Sequence, residues 1–171
     1  ESFEMRVGRP TGIDRIFAKN GYGDVVIPDE SEGYPVTTIW NTICTCPESI
    51  TSITVGKNID FISPNIYEGC VELEDMFVAE GNEHFKSVDG ILFSKDGKTL
   101  VKYPCGRKTE SYTISDEVTC LGDFAFAYNE SLKSVKIHNA VSEIKADAFA
   151  HCTSLESIRI PNSVKTMGAS C

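Results

Sequence analysis

The stretch from Ile137 to Ile160, IHNAVSEIKADAFAHCTSLESIRI, decides the fold. Its apolar positions are Ile137, Val141, Ile144, Ala148, Phe149, Cys152, Leu155, Ile158 and Ile160. The residues before it repeat the order as Ile114, Val118, Leu121, Ala125, Phe126, Asn129, Leu132, Val135 and Ile137. Each position moves by 23 residues, since 137 − 114 and 160 − 137 are both 23. Further back, Ile59, Ile62, Ile66, Tyr67, Cys70, Leu73, Met76 and Val78 fit the same template. So do Val36, Ile39, Ile43, Cys44, Pro47, Ile50, Ile53 and Val55, again displaced by 23. A last copy opens at Ile160-Pro161, continues through Val164 and Met167, and reaches its Ala148 position at Cys171. The chain is therefore expected to stop inside a repeat, with the natural boundary further on. A fixed period of this length is the signature of stacked structural repeats.

Inside each unit the Leu-x-x-Ile-x-Ile run alternates with period two after its first residue, which predicts a strand. The Val-x-x-Ile run predicts a second, shorter extended piece. Between them Ala-Phe, with Asp or Gly before it, predicts a single helical turn that buries its Phe. One unit cannot cover its own apolar side, whereas stacked units share one core. Ile50, Leu73, Leu132 and Leu155 should form one row of that core, and Phe126 should lie beside Phe149 in another. The position of Cys152 is held by Cys70, Asn129 and Pro47 in other units. Asn can satisfy turn backbone groups inside a solenoid, Cys does so weakly, and Pro47 brings no donor, so the first full turn should be looser.

Two insertions break the register. Asp29 to Pro35 lengthens one loop by five residues, and Gly33 with Pro35 marks it as a turn. The interval from Val78 to Ile114 is 36 residues, one repeat of 23 plus 13. Its Asp89-Gly90, set between apolar runs, predicts a β-hairpin over about 79–113 that replaces the regular turn segment. Residues 1–24 do not follow the repeat. A solenoid needs a cap over its first core layer, and Phe3, Met5, Val7, Ile13, Ile16 and Phe17 supply an apolar face, so a strand-like capping segment is expected there. The solenoid itself should run over 25–171.

The pattern I-P-x-S-V-x-x-I-x-x-x-A-F-x-x-C-x-x-L-x-x-I-x-I resembles the BspA-type, or Treponema-type, leucine-rich repeat. The stretch Ile137 to Ile160 with the following Ile160-Pro161-Asn162-Ser163-Val164 matches it nearly residue for residue, and the resemblance extends over about Val25 to Cys171. It implies an α/β class fold, mostly β with short helical turns: a right-handed solenoid with a parallel sheet along one face. The Asp-Gly-x-Leu-Phe-x-Lys-Asp-like element at Asp89 to Asp96 also resembles one that the family often carries. The family is mostly found on bacterial surfaces or secreted. The resemblance therefore implies a non-catalytic protein-binding or adhesion module, whose partner would be a host matrix or surface protein or another microbial surface protein. A structural spacer that presents other domains is the alternative.

Composition narrows the partners. The 171 residues carry a formal net charge of −9 with 41% hydrophobic residues. Nucleic acid would be repelled, because no basic run offsets that charge. No apolar stretch approaches the length needed to cross a bilayer, so no membrane insertion is expected in this segment. The sequence opens at Glu1 without a secretory leader, which fits an intracellular protein or one whose leader lies outside it. Seven cysteines, an odd count, cannot form a closed disulfide framework within one chain.

The candidate chemistry is sparse. Cys44-Thr45-Cys46 has the wrong spacing for a zinc or redox pair, and Cys44 falls on the core Phe position. His84, His138 and His151 are scattered. Asp89-Gly90 and Asp96-Gly97 read as turns and not as calcium loops. Asn129-Glu130-Ser131 matches a glycosylation sequon but sits at an inward position. No catalytic residue, cofactor or metal is expected. Cys70 and Cys152 should be buried free thiols. Cys120 aligns with outward Glu143 and should be the more reactive thiol, within reach of Cys105 if the hairpin folds back.

Residues between core positions of the strand should face outward. At 23-residue spacing they form columns: Thr54, Phe77, Lys136, Arg159; Thr51, Glu74, Lys133, Glu156; and Ser52, Asp75, Ser134, Ser157. Phe77 stands out as an aromatic among polar residues, with Phe61 and Trp40 outward near the second run. Candidate partner-binding residues are Phe61, Phe77, Lys133, Lys136 and Arg159. The competing reading has the hairpin cover Phe77 and leaves the cations as ordinary solvated strand residues.

Overall fold

The structure is a computed structural model that describes residues 3–8, 12–18, 23–40 and 50–171. It is a mostly β solenoid whose short strands pair from turn to turn with the displacement read in the sequence. The described chain opens with β1 (Phe3–Gly8) and β2 (Gly12–Ala18), an antiparallel pair. β3 (Gly23–Val26) then begins the first sheet of the solenoid. The five-residue insertion forms its own small hairpin, β4 (Glu30–Ser31) and β5 (Tyr34–Pro35), around Glu32 and Gly33. Both turn residues have positive φ, 53° and 82°, which suits a two-residue hairpin.

β6 (Thr38–Ile39) lies parallel to β2 and begins the second, shorter run. β7 (Ile50–Val55) pairs parallel with β3, and β8 (Phe61–Ile62) with β6. Val25 faces Ile53, 28 positions on, which is 23 plus the five inserted residues. Thr38 faces Phe61, and Ser52 faces Asp75 of β9 (Asp75–Val78), both 23 positions on.

The large insertion is a meander of β10 (Phe85–Val88), β11 (Ile91–Ser94) and β12 (Thr99–Lys102). The expected hairpin is its first half, turning at Asp89 and Gly90 with φ of 50° and 69°. β12 returns to the solenoid and pairs parallel with β14 (Cys120–Leu121), which follows β13 (Ser111–Thr113). The regular turns then resume with β15 (Ser134–Lys136), β16 (Glu143–Ile144), β17 (Ser157–Ile158) and β18 (Thr166–Met167). Among the described residues the insertion divides both sheets. One sheet is β3-β7-β9 and its continuation is β13-β15-β17; the other is β1-β2-β6-β8 and its continuation is β10-β11-β12-β14-β16-β18. The hairpin tip sits beside β9, where Gly90 O accepts the N–H of Met76 at 2.8 Å and Met76 O accepts Ser87 Oγ–H.

The Ala-Phe segments are turns, not the expected helical turns; the one described helix is a 3-10 turn at Pro64–Tyr67. The reason lies in the backbone. Phe124 and Asp147 have φ of 54°, and Tyr128 and His151 have φ of 66° and 57°, at the same two places in successive turns. A left-handed residue breaks a helix. It also redirects N–H groups along the stack: Phe124, Phe126 and Tyr128 donate to the carbonyls of Ala146, Ala148 and Ala150 in the next turn at 3.1, 2.7 and 2.9 Å. The expected rows are present. Phe126 and Phe149 stack with centroids 5.1 Å apart and planes 8° apart. Leu132 is fully buried, with Leu155 packed against the same core.

Buried Asn129 closes its turn from within. Its Oδ1 accepts the N–H groups of Ser131 and Leu132 at 3.0 and 2.9 Å, while Nδ2 donates to Pro104 O at 3.1 Å. Cys152 at the same place makes one bond, from Sγ to Phe126 O at 3.2 Å. The core is two adjoining clusters, and β11 stands between them. Leu92 belongs to the first, Ile91 and Phe93 to the second.

Candidate binding surface

In-register parallel pairing stacks residues 23 apart as anticipated, but Ser52, expected outward, is buried, its Oγ donating to Asp24 Oδ1 at 2.6 Å. Thr54 faces Phe77, Thr113 faces Lys136, and Ser134 faces Ser157. Neighbouring strands lie about 4.7–4.9 Å apart, so a column is a close row of side chains. Phe77 is 47% exposed, and Val26, two rungs earlier in its column, is 62% exposed. The hairpin beside β9 therefore leaves Phe77 open. After the insertion the corresponding repeat positions carry Lys136, which faces Thr113, and Arg159, which follows β17; both are exposed. Neither forms an ion pair among the described residues.

The other two candidates stand apart. Lys133 is held by Glu110, with Nζ 2.6 Å from Oε1, and that hydrogen bond pushes the lysine pKa up. Its charge is already matched. Phe61 lies on the second sheet, 40% exposed, its ring 4.8 Å from that of exposed Trp40. The five candidates thus do not form one site. Lys136 and Arg159 share one column, Phe77 continues it across the insertion, and Phe61 with Trp40 is a separate aromatic pair.

Lys136 and Arg159 border a cleft of about 640 Å³ between the loops after β15 and β17. His138, Asn139 and Ser163 also line it. The Ser163 hydroxyl is buried there without a partner. His138 places Nε2 2.7 Å from Ser115 O, and its Nδ1 accepts the N–H of Ala140 at 3.1 Å. Such bonds fit a neutral imidazole donating from Nε2. His151 stacks on Tyr128, with centroids 4.8 Å apart and planes 9° apart.

The thiols differ from expectation. Cys105, Cys120, Cys152 and Cys171 form no disulfide among the described residues. Cys120 faces Glu143 as aligned, but it does not bond to Cys105, which is buried. Partial burial and the neighbouring Glu143 carboxylate push the Cys120 thiol up to about 11, so it is less reactive than an open thiol. Cys70 is buried and Cys152 half-buried. Cys44 and Cys46 lie outside the described residues. Among the described residues, no three His, Cys, Asp or Glu side chains are grouped to hold a metal ion, and no helix is long and apolar enough to cross a membrane.

Three residues passed over in the sequence matter locally. Asn82 does for the start of the insertion what Asn129 does for a regular turn. It donates to Gly56 O and Ile59 O and accepts from His84 and Phe85 N–H. The shared Asn-x-x-apolar spacing was the available signal. Arg107 clamps the gap in the first sheet, donating to Glu74 O and Asp75 Oδ1, each at 2.8 Å, and to Asp89 O. Lys102 is fully buried. It continues the inward positions of β12 after Leu100, a charged residue in an apolar slot.

Comparison with known proteins agrees with this geometry. The BspA type Leucine rich repeat region family matches residues 17–104 and 102–171, in 6 copies. No curated protein matches the chain in sequence. Among solved structures, it is similar to a leucine-rich repeat protein from Eubacterium ventriosum (TM-score 0.72, 25% identity), covering 85% of this chain and 40% of that one. It is also similar to the pneumococcal vaccine antigen PcpA (TM-score 0.66, 25% identity), covering 85% of this chain and 47% of that one. A leucine rich cell surface protein from Faecalibacterium prausnitzii shares the fold (TM-score 0.56, 22% identity), with 85% and 49% covered. The chain thus spans less than half the length of each of these three. It belongs to the BspA-type leucine-rich repeat family.

Proposed function

We propose that this segment is a non-catalytic protein-binding module of a surface-displayed or secreted protein, and that it binds through the outward column of the first sheet. The observation that carries the reading is the content of that column. An exposed aromatic, Phe77, and an exposed cation, Lys136, stand on strands paired by ladder hydrogen bonds, and exposed Arg159 follows directly on β17; neither cation forms an ion pair among the described residues. Side chains on an ordered sheet lose little further backbone freedom on binding. Large aromatics and arginines are also the residue types that most often anchor protein interfaces.

The charge pattern favours a partner with an acidic patch on the later turns. The chain carries a net −9, yet local potential steers association more than the total does. Lys133 is left out of this surface because Glu110 matches its charge. Surface display draws support from the family resemblance and from PcpA, which is described as a vaccine antigen.

Pull-down of extracellular-matrix proteins and of intact cells by the immobilised chain tests the proposal. Lys136→Glu with Arg159→Glu should fold like the parent, since both side chains are exposed, and should lose binding. Phe77→Ala should weaken it. Binding that survives both changes would move the contact to another surface, the Trp40/Phe61 pair first. A parent that captures nothing would favour a spacer role.

A further inference from the structure

Lys102 is the most anomalous residue in the chain. It is fully buried and has no carboxylate partner among the described residues. Its Nζ donates to Phe124 O and Ala127 O, each at 2.9 Å, and lies 5.3 Å from the centre of the Tyr67 ring. The local backbone explains why an amine is needed there. In regular turns the N–H groups of Phe124, Phe126 and Tyr128 donate to the next turn. One turn earlier Tyr103 N–H reaches Ala125 O at 2.7 Å. The amine donates to Ala127 O, the carbonyl that matches Ala150 O of the regular turn.

A neutral amine has two N–H donors and a lone pair. Two carbonyls satisfy the donors and leave the lone pair free. Burial pushes the Lys102 pKa down, toward that neutral form. Cys105 converges on the same place, because its Sγ lies 3.5 Å from Ala127 O, the oxygen that Nζ also contacts. Beside them the buried Tyr67 hydroxyl has no hydrogen-bond partner. Three polar groups are thus buried close together, two of them with unused hydrogen-bonding capacity.

We propose that Lys102 and Cys105 form an oxidant-dependent covalent modification site, in which a nitrogen–oxygen–sulfur bridge links Nζ to Sγ. The thiol passes its proton through the amine lone pair to the departing hydroxide as sulfur attacks the peroxide oxygen, so the amine ends neutral. The first peroxide oxidises sulfur to the sulfenic acid and releases water. A second oxidises the amine to the hydroxylamine and releases water. Condensation of the two expels a third water and leaves Lys–NH–O–S–Cys. The balance is one amine, one thiol and two hydrogen peroxide molecules giving one bridge and three waters. The oxidant is hydrogen peroxide, a small neutral molecule. A reducing thiol reverses the bridge.

Tryptic mapping of the folded chain after hydrogen peroxide treatment tests this. A bridged Lys102 resists trypsin, so residues 99–107 should persist as one peptide that has gained one oxygen and lost two hydrogens. Dithiothreitol before digestion should restore cleavage at Lys102. Cys152→Ser should keep the bridged peptide, and Cys105→Ser should lose it. The proposal is overturned by normal cleavage at Lys102 with Cys105 oxidised alone or unreacted. A disulfide from Cys105 to Cys70 or Cys152, seen as a loss of two hydrogens, overturns it equally.

Discussion

At the scale of the residue, position in the repeat decides the energetic role. Phe126 is fully buried, stacked on Phe149 at 5.1 Å and on Tyr103 at 5.3 Å. Phe126→Ala should destabilise the chain by about 3–5 kcal/mol, read as a lowered urea midpoint. Phe149, partly exposed, should cost less when truncated, and the reverse order would show that the row is not packed as described. Lys102 gives a different signal. Burial lowers its folded pKa, while the unfolded side chain keeps a value near about 10.4. Between those two values the unfolded chain binds more protons, so stability should rise with pH across that window and be lost as pH falls through it. Lys102→Met should remove that slope whatever it does to stability itself; an unchanged slope would mean that other groups carry it. The two residues also mark what the sequence reveals. Phe126 was legible because 23-residue spacing repeats its neighbours. Lys102 was not, because a charged residue at an inward position contradicts the pattern that identifies inward positions.

At the scale of the element, the strands were legible and the turns were not. Period-two alternation announces a strand wherever its apolar face is needed. The left-handed backbone of Phe124, Tyr128, Asp147 and His151 has no such announcement, because none of these is glycine. Rung-to-rung hydrogen bonds hold Phe124, Tyr128 and Asp147 there, and those bonds exist only once neighbouring turns are stacked. Glycine matters more at Gly106. A Cβ there would come within 2.4 Å of the Glu72 carbonyl carbon and 2.6 Å of Leu73 N, both backbone atoms that cannot step aside. The same residue donates its N–H to Leu73 O at 2.7 Å, joining the end of the insertion to the turn before it. Gly106→Ala should therefore cost about 1–3 kcal/mol, as overpacking does. The measured change should be a lower urea midpoint at constant m-value. A neutral result would mean that the loop from Pro104 to Arg107 can move away without loss.

At the scale of the whole molecule, the insertion partitions a solenoid that the sequence presents as one array. The 13 extra residues were counted correctly, but their consequence could not be read from a count. Alternation shows that β11 has two faces without saying that each face is lined by a different core. Leu92, fully buried, is the β11 side chain in the first cluster, whereas Ile91 and Phe93 belong to the second. Stability of a repeat array is a sum of unit and nearest-neighbour terms, so weakening one shared wall should uncouple what lies on either side. Leu92→Ala should cost about 2–5 kcal/mol through the cavity it leaves, and the loss should fall unevenly. The chain has one tryptophan, Trp40, on the N-terminal side of that wall. In the parent, tryptophan fluorescence and far-ultraviolet dichroism should lose their signals at one urea concentration, as coupled turns require. In Leu92→Ala the fluorescence midpoint should fall below the dichroism midpoint, because the C-terminal turns keep Ile91, Phe93 and Leu100 in their own core. Coincident transitions in the variant would show that the two cores unfold as a unit, held together by the Arg107 clamp and the Gly106 contact rather than by the apolar face of β11.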